Sequence, residues 1–236
     1  MTKNAFFFIC LFSLILPGIG QESANQNMNK VDDRGRKQGL WKSYDVKGKL
    51  KYEGKFVDDI PTGTFTYYYP DGMVKAISEM SDNGRRSYTK LFHTNGRLMG
   101  EGNYLDKVKD GTWNYYSDFD GVKVSTEHYV EGKLEGVIIN YYPEGVIAEQ
   151  IPYKHGLKEG EWTQYFSDGK IKLKATYVND LIEGLMLIYY QNGIPEVSGI
   201  YKNNLKHGQW MYFTDKGVLY KKETYANGQL KNTEEF

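Results

Sequence analysis

The residues of this chain best suited to hold a metal are its four histidines, His93, His128, His155 and His207. They lie far apart, and no His-x-x-x-His pair or matching carboxylate spacing would gather ligands on one element, so each is expected at a surface or turn. Gly100 and Gly102 give a glycine-rich look, but no helix follows and no Lys-Ser/Thr stands ready for phosphate and magnesium. They read as strand glycines. A Gly-x-Ser-x-Gly nucleophile elbow is absent, and the one cysteine, Cys10, lies inside an apolar N-terminal run. Asp71, Asp120 and Asp168 precede turn glycines and could align as calcium ligands, yet Lys47, Asn95, Glu144, Asn192 and Lys216 hold the equivalent places. Stabilisation of the turns accounts for these aspartates. The expectation is a chain with no catalytic residue, no metal and no cofactor.

Aromatic rings are what remains. Trp41, Trp113, Trp162 and Trp210 each sit two residues after a small residue, and Phe65, Thr89, Ile138 and Met186 fill the same column. Such rings can anchor an interface, which makes Trp41, Phe65, Trp113, Trp162 and Trp210 the candidate partner-binding residues. The same column also fits a packing ladder, buried if the sheet curls or a bulge returns it to the core.

The elements that must position these rings come from a repeat. A small residue recurs at Gly39, Gly63, Ser87, Gly111, Gly136, Gly160, Gly184 and Gly208, in steps of 24 with one step of 25. A turn glycine follows at Gly48, Gly72, Gly96, Gly121, Gly145, Gly169, Gly193 and Gly217, and its long step places one inserted residue between Tyr116 and Gly121. A third column runs through Phe56, Met80, Tyr104, Tyr129, Tyr153, Tyr177, Tyr201 and Tyr225. Eight units therefore cover residues 34–226, with a partial unit at 227–236 that caps the last edge.

Each unit reads as two strands. Asp-Gly, Glu-Gly and Asn-Gly mark the inner turns, while Asp58-Asp59, Asn179-Asp180 and Asn203-Asn204 mark the outer ones, where φ must be positive. The return strand alternates, as in Lys170, Lys172 and Lys174 against Ile171 and Leu173, and period two means strand. Pro70 and Pro143 fit the second place of a type I turn followed by a glycine bulge, which selects a three-residue loop. That loop sets Tyr44 opposite Leu50, Tyr68 opposite Val74, Phe92 opposite Leu98, Tyr141 opposite Ile147, Tyr165 opposite Ile171 and Phe213 opposite Leu219. The third aromatic column is then expected on the face of these pairs, and the Trp column on the other. The fold class is all-β: an elongated array of antiparallel hairpins forming one open meander.

Composition agrees. The chain has 26 Gly and 21 Tyr in 236 residues, which favours strands and tight turns. Thirty basic against thirty acidic residues leave no net charge and no basic stripe, so nucleic acid is not an expected partner. At the N-terminus, Lys3 precedes the apolar residues 5–16, and Gly18 and Gly20 suit a signal peptidase cutting before Gln21. The run falls short of the ~20 residues that cross a hydrocarbon core, so no span is expected in the mature chain. Residues 1–20 read as a signal peptide and 21–33 as a flexible leader, with the mature chain periplasmic or extracellular.

The pattern Gly-x-Trp-x-x-Tyr followed by a glycine turn, clearest in Gly160-Glu161-Trp162-Thr163-Gln164-Tyr165 with Asp168-Gly169 and in Gly208-Gln209-Trp210 with Phe213 and Gly217, resembles the bacterial variant of the MORN repeat. The third unit departs most, with Ser87 for Gly and Thr89 for Trp, and the fourth carries the insertion. Proteins of this kind are often labelled antitoxin components of toxin-antitoxin systems, and MORN arrays serve as protein or lipid attachment surfaces. The resemblance thus implies a non-catalytic scaffold for a protein partner, neutralising a toxin or attached to the envelope. A glycan- or lipid-binding module using the Trp column is the alternative.

Overall fold

The computed structural model describes residues 28–236, so the expected signal peptide and residues 21–27 of the leader lie outside the described residues. Twenty-one strands form one antiparallel sheet, with no α-helix among the described residues. No helix there is long and apolar enough to cross a membrane. Strands pair in chain order: Lys37–Tyr44 with Leu50–Val57, that with Ile60–Tyr68, and that with Val74–Ser81. The expected all-β hairpin array is what the chain forms.

The inner turns follow the three-residue design. Asp45 donates its N–H to the carbonyl of Lys49, and Gly48 takes φ 76° and donates to the carbonyl of Asp45. The Asp45 carboxylate accepts from the backbone N–H groups of Lys47 and Lys49, which fixes the turn without a metal. All six aromatic-aliphatic pairs form as expected, from Tyr44 opposite Leu50 to Phe213 opposite Leu219. Each such pair contributes roughly 0.2–1 kcal/mol.

One residue further along, every return strand bulges. Ser43 pairs with Tyr52 and Tyr44 with Leu50, which leaves Lys51 as an extra residue; Lys75, Met99, Lys172 and Tyr220 hold that place in other units. An extra residue interrupts the alternation of faces. Leu50 therefore faces with Tyr44, whereas Tyr52, Gly54 and Phe56 face with Ser43 and Trp41. This corrects the expected placement of the third aromatic column: it shares its face with the Trp column, not with the Tyr-Leu pairs. The rings of Trp41 and Phe56 meet edge to face with centroids 6.1 Å apart.

Consecutive units are tied at both ends. At the inner turns the hydroxyls of Tyr69, Tyr142 and Tyr190 donate to the carbonyls of Phe92, Tyr165 and Phe213, each 23 residues ahead. His93 takes the corresponding place, its Nε2 lying 3.2 Å from the carbonyl of Tyr116. At the outer turns Asp59, Asp180 and Asn204 accept from the N–H groups of Lys37, Lys158 and Ile182 in the unit before. The sheet ends are also occupied. Lys30–Val31, in the stretch expected as leader, pairs with Lys37 and Gln38, and the Asn29 amide group bonds both backbone groups of Lys42. Gln229–Glu235 adds a final strand, its exposed charges blunting the last edge.

Candidate binding face

The opening glycines decide how the Trp column is seated. Seven of the eight opening positions are glycine with φ between 64° and 117°, a region that costs other residues strain. In the second unit Glu53 pairs with Thr66 and Lys55 with Thr62, so Gly54 alone faces Gly63, Thr64 and Phe65. Two extra residues on the opening strand swing the column residue flat over the preceding strand, and a glycine lies beneath it. A Cβ added at Gly54, Gly102 or Gly199 would fall under 3.0 Å from the ring of Phe65, Trp113 or Trp210.

Each Trp ring then meets the third column, edge to face at Trp41, Trp113 and Trp210 and tilted at Trp162. Tyr104 meets Trp113 at 5.0 Å, Tyr177 meets Trp162 at 5.4 Å and Tyr201 meets Trp210 at 5.1 Å between centroids. The indole N–H groups are all used: Trp41 donates to the carbonyl of Lys30, Trp113 to that of Asn103, Trp210 to that of Ile200, and Trp162 to the Glu149 carboxylate at 2.7 Å. A lysine caps each of three rings, with Lys37, Lys109 and Lys206 holding Nζ at 4.9, 4.8 and 4.1 Å from the centroids of Trp41, Trp113 and Trp210. Burial against these rings lowers the pKa of Lys109 and Lys206 from the ordinary lysine value. For Glu149, burial pushes the carboxyl up, but bonds from Gln164, Trp162 and Asn140 outweigh it and hold the pKa down.

Of the five candidate residues, Trp113 has no exposed surface, and Phe65 and Trp210 keep 2% each. Trp41 and Trp162 are half-buried. The column is thus a packed stripe along one face of the sheet, with lysine stems and tyrosine edges over it.

The same repeat is recognised by comparison with known families. The family described as MORN repeat variant matches residues 37–58, 61–82, 134–155, 158–179, 182–203 and 206–227. The chain belongs to the MORN repeat variant family. No match was found among curated proteins. Matched segments start every 24 residues, and the step from 61 to 134 is three such steps and one residue, the insertion before Gly121. The inserted loop projects Phe119, which is 85% exposed.

Residues 83–133 lie between the second and third of these MORN segments; Trp113 is packed there, but the stripe is broken in the unit of Ser87 and Thr89. Ser87 carries a Cβ and does not take the positive φ of the opening glycines. The strands Val74–Ser81 and Arg86–Phe92 accordingly pair without a shift, Met80 with Ser87, Glu79 with Tyr88 and Ser78 with Thr89. The two residues lost from the bulge reappear in the turn, which lengthens to Asp82, Asn83, Gly84 and Arg85 where Val57 and Ile60 enclose only Asp58 and Asp59. Asp82, Asn83 and Gly84 all adopt positive φ, at 49°, 53° and 77°.

With Thr89 in the Trp position, a trough of about 610 Å³ opens over this unit. Ser78, Ser87 and Thr89 are buried in its floor, joined by hydroxyl contacts of 2.8 Å and 3.2 Å through Thr89. Phe56, Phe65 and Tyr67 wall one side and Tyr104 the other, while Asp59, Arg85 and Lys107 stand at the outer turns. Two of the floor residues, Ser87 and Thr89, were visible in the sequence as departures from the repeat. Ser78 carried no such signal, since its partner depends on the register. Among the described residues, no group of three or more His, Cys, Asp or Glu is placed to hold a metal ion.

Proposed function

We propose that this chain is an exported, non-catalytic repeat scaffold that binds a protein partner on the aromatic face of its sheet. The observation that carries the reading is the trough over Ser78 and Thr89, where half-buried Tyr67 and Tyr104 stand beside a floor that no ring of the chain covers. An open concave site between rings, flanked by polar groups, suits a protruding side chain of another polypeptide. Membership of the MORN family supports a scaffold role of the coarser kind, a surface for protein or membrane lipid. A glycan or lipid stripe along the Trp column has less behind it, because Trp113 and Trp210 turn no free ring face to solvent. Trp41 and Trp162 keep part of their surface and remain the column members best able to touch a partner. Neither toxin neutralisation nor envelope attachment is favoured by a particular residue.

Export rests on Lys3, the apolar residues 5–16 and Gly18 with Gly20. The native protein is expected to begin at Gln21 by mass spectrometry, in the periplasm or medium; recovery of intact Met1 or Thr2 from the cytoplasm would remove that part of the reading. The scaffold role is tested by incubating the mature protein with envelope extract and identifying what co-purifies. A defined protein retained through washing is the expected result. Retention of lipid vesicles or glycan alone would replace the protein-binding reading.

A further inference from the structure

We infer that the trough over Ser78, Ser87 and Thr89 takes an indole ring, presented by a tryptophan of the partner polypeptide, an inference that rests on the protein-binding reading above. The rest of the stripe shows what the position holds. Trp113 and Trp210 bring four features together: a neighbouring Tyr ring edge, an oxygen accepting the indole N–H, a cation over the ring, and a small residue beneath. The third unit presents groups of the same kinds without the ring: Met80 stands in the place of Tyr104 and Tyr201, while Tyr104, fifteen residues after Thr89, holds the place from which Tyr225 edges Trp210 at 6.3 Å.

The edges come from Tyr104 on one side and Phe65 on the other. Oxygen acceptors come from the floor. Three hydroxyls have six lone pairs between them, and their two mutual contacts occupy two, so the floor is rich in acceptors for an N–H donor. The cation is Arg85, which stands 48 residues after Lys37 and 24 before Lys109 and lines the trough from the lengthened turn. Its guanidinium is held by Asp106 through Nε at 3.0 Å and Nη2 at 2.8 Å. A planar guanidinium paired in this way still offers a face to an aromatic ring. The lining is complementary in charge to an indole: oxygen lone pairs for its N–H, ring walls for its edge hydrogens, and a cation for its π-face. An aliphatic chain would pack on the ring walls, Met80 and Leu91 but leave the oxygen acceptors and the cation unmatched, and a phenyl ring would leave the acceptors unmatched. Asp59 and Lys107 at the mouth give the amide groups flanking a partner tryptophan polar contacts that free indole would not use.

The test is ligand-observed NMR of the purified protein with N-acetyl-tryptophanamide, an isolated peptide-like tryptophan. Saturable binding is expected, with the N1-methylindole analogue about fivefold weaker, the worth of one neutral hydrogen bond. The triple variant Ser78→Gly, Ser87→Gly, Thr89→Trp, which rebuilds the rung from the chain itself, is expected to abolish binding. Should that variant fail to fold, Thr89→Val and Arg85→Gln each probe one contact and are expected to weaken binding several-fold. The inference is overturned if N-acetyl-tryptophanamide does not bind, if the N-methyl analogue binds equally, if the filled rung binds as before, or if free indole or N-acetylglucosamine binds in its place. A partner from extract retained equally by parent and filled-rung proteins would overturn this site and leave the scaffold reading standing. Failure to retain any partner would count against the scaffold reading itself.

Discussion

The third and eighth units perform the same hairpin with opposite solutions. In the eighth, Gly208 takes φ 66°, the opening strand bulges, and Trp210 lies over Gly199 with Lys206 above the ring. In the third, Ser87 keeps to the extended region, the strands run in plain register, and Thr89 meets Ser78 hydroxyl to hydroxyl. The positive φ removed from the opening position is taken up by Asp82, Asn83 and Gly84, residue types that tolerate it. A single Cβ at the opening position thus decides where the backbone stores its two extra residues. That in turn decides whether the stripe above is closed or open.

The comparison breaks hardest at the rings. Trp113→Ala removes a side chain with no exposed surface and should cost about 3–5 kcal/mol in chemical denaturation. Thr89→Ala at the same place in the third unit should cost about 1 kcal/mol, the scale of one hydroxyl bond. Equal losses would mean that the two rungs are not differently packed. The residues beneath should follow the same order. Gly102→Ala drives a Cβ to 2.5 Å from the Trp113 ring and should cost about 1–3 kcal/mol, whereas Ser78→Ala should cost no more than about 1 kcal/mol.

Acid should separate the units as well. In the eighth, the Glu223 carboxyl is lowered to about 2, chiefly by the hydrogen bond from Tyr212, with Lys221 and Tyr225 assisting. A lowered folded-state value means that this stabilisation is complete above the ordinary carboxylate pKa of 4.5 and is lost as pH falls from there toward about 2. Hydrogen exchange should show the eighth unit loosening over that window and the third loosening less, because its Glu101, held down by bonds from Tyr116 and Tyr88, is shifted less far than Glu223 and its hydroxyl floor carries no carboxylate. Glu223→Gln should flatten the acid dependence of the eighth unit, and an unchanged profile would show that the carboxyl does not act there. The smallest effect belongs to Ser87→Gly alone. Without a ring to seat, the new glycine should change stability by less than about 1 kcal/mol, mostly through the freedom glycine adds to the unfolded chain.

Much of this was legible in the residues. The 24-residue spacing, the insertion before Gly121 and the three-residue loop demanded by Pro70 and Pro143 led to the observed pairing of Tyr165 with Ile171. What the alternation could not show was the bulge at Lys51 and its equivalents, because Leu50, Tyr52 and Phe56 keep a period of two straight through it. The pattern therefore put Phe56 on the wrong face, and with it the relation of the two aromatic columns. The opening glycines had the same double meaning: a small residue at a strand start, or the left-handed position of a bulge. Only the pairing across units tells them apart, and only that pairing joins Ser78 to Thr89.

The central claim is that the third rung stands open because Ser87 and Thr89 replace glycine and tryptophan over Ser78. Its most direct test is the thermal midpoint of the triple variant Ser78→Gly, Ser87→Gly, Thr89→Trp beside that of the parent. The account predicts a midpoint several degrees higher, as a buried ring closes the stripe between Phe65 and Tyr104. A folded variant with an unchanged or lower midpoint would contradict it.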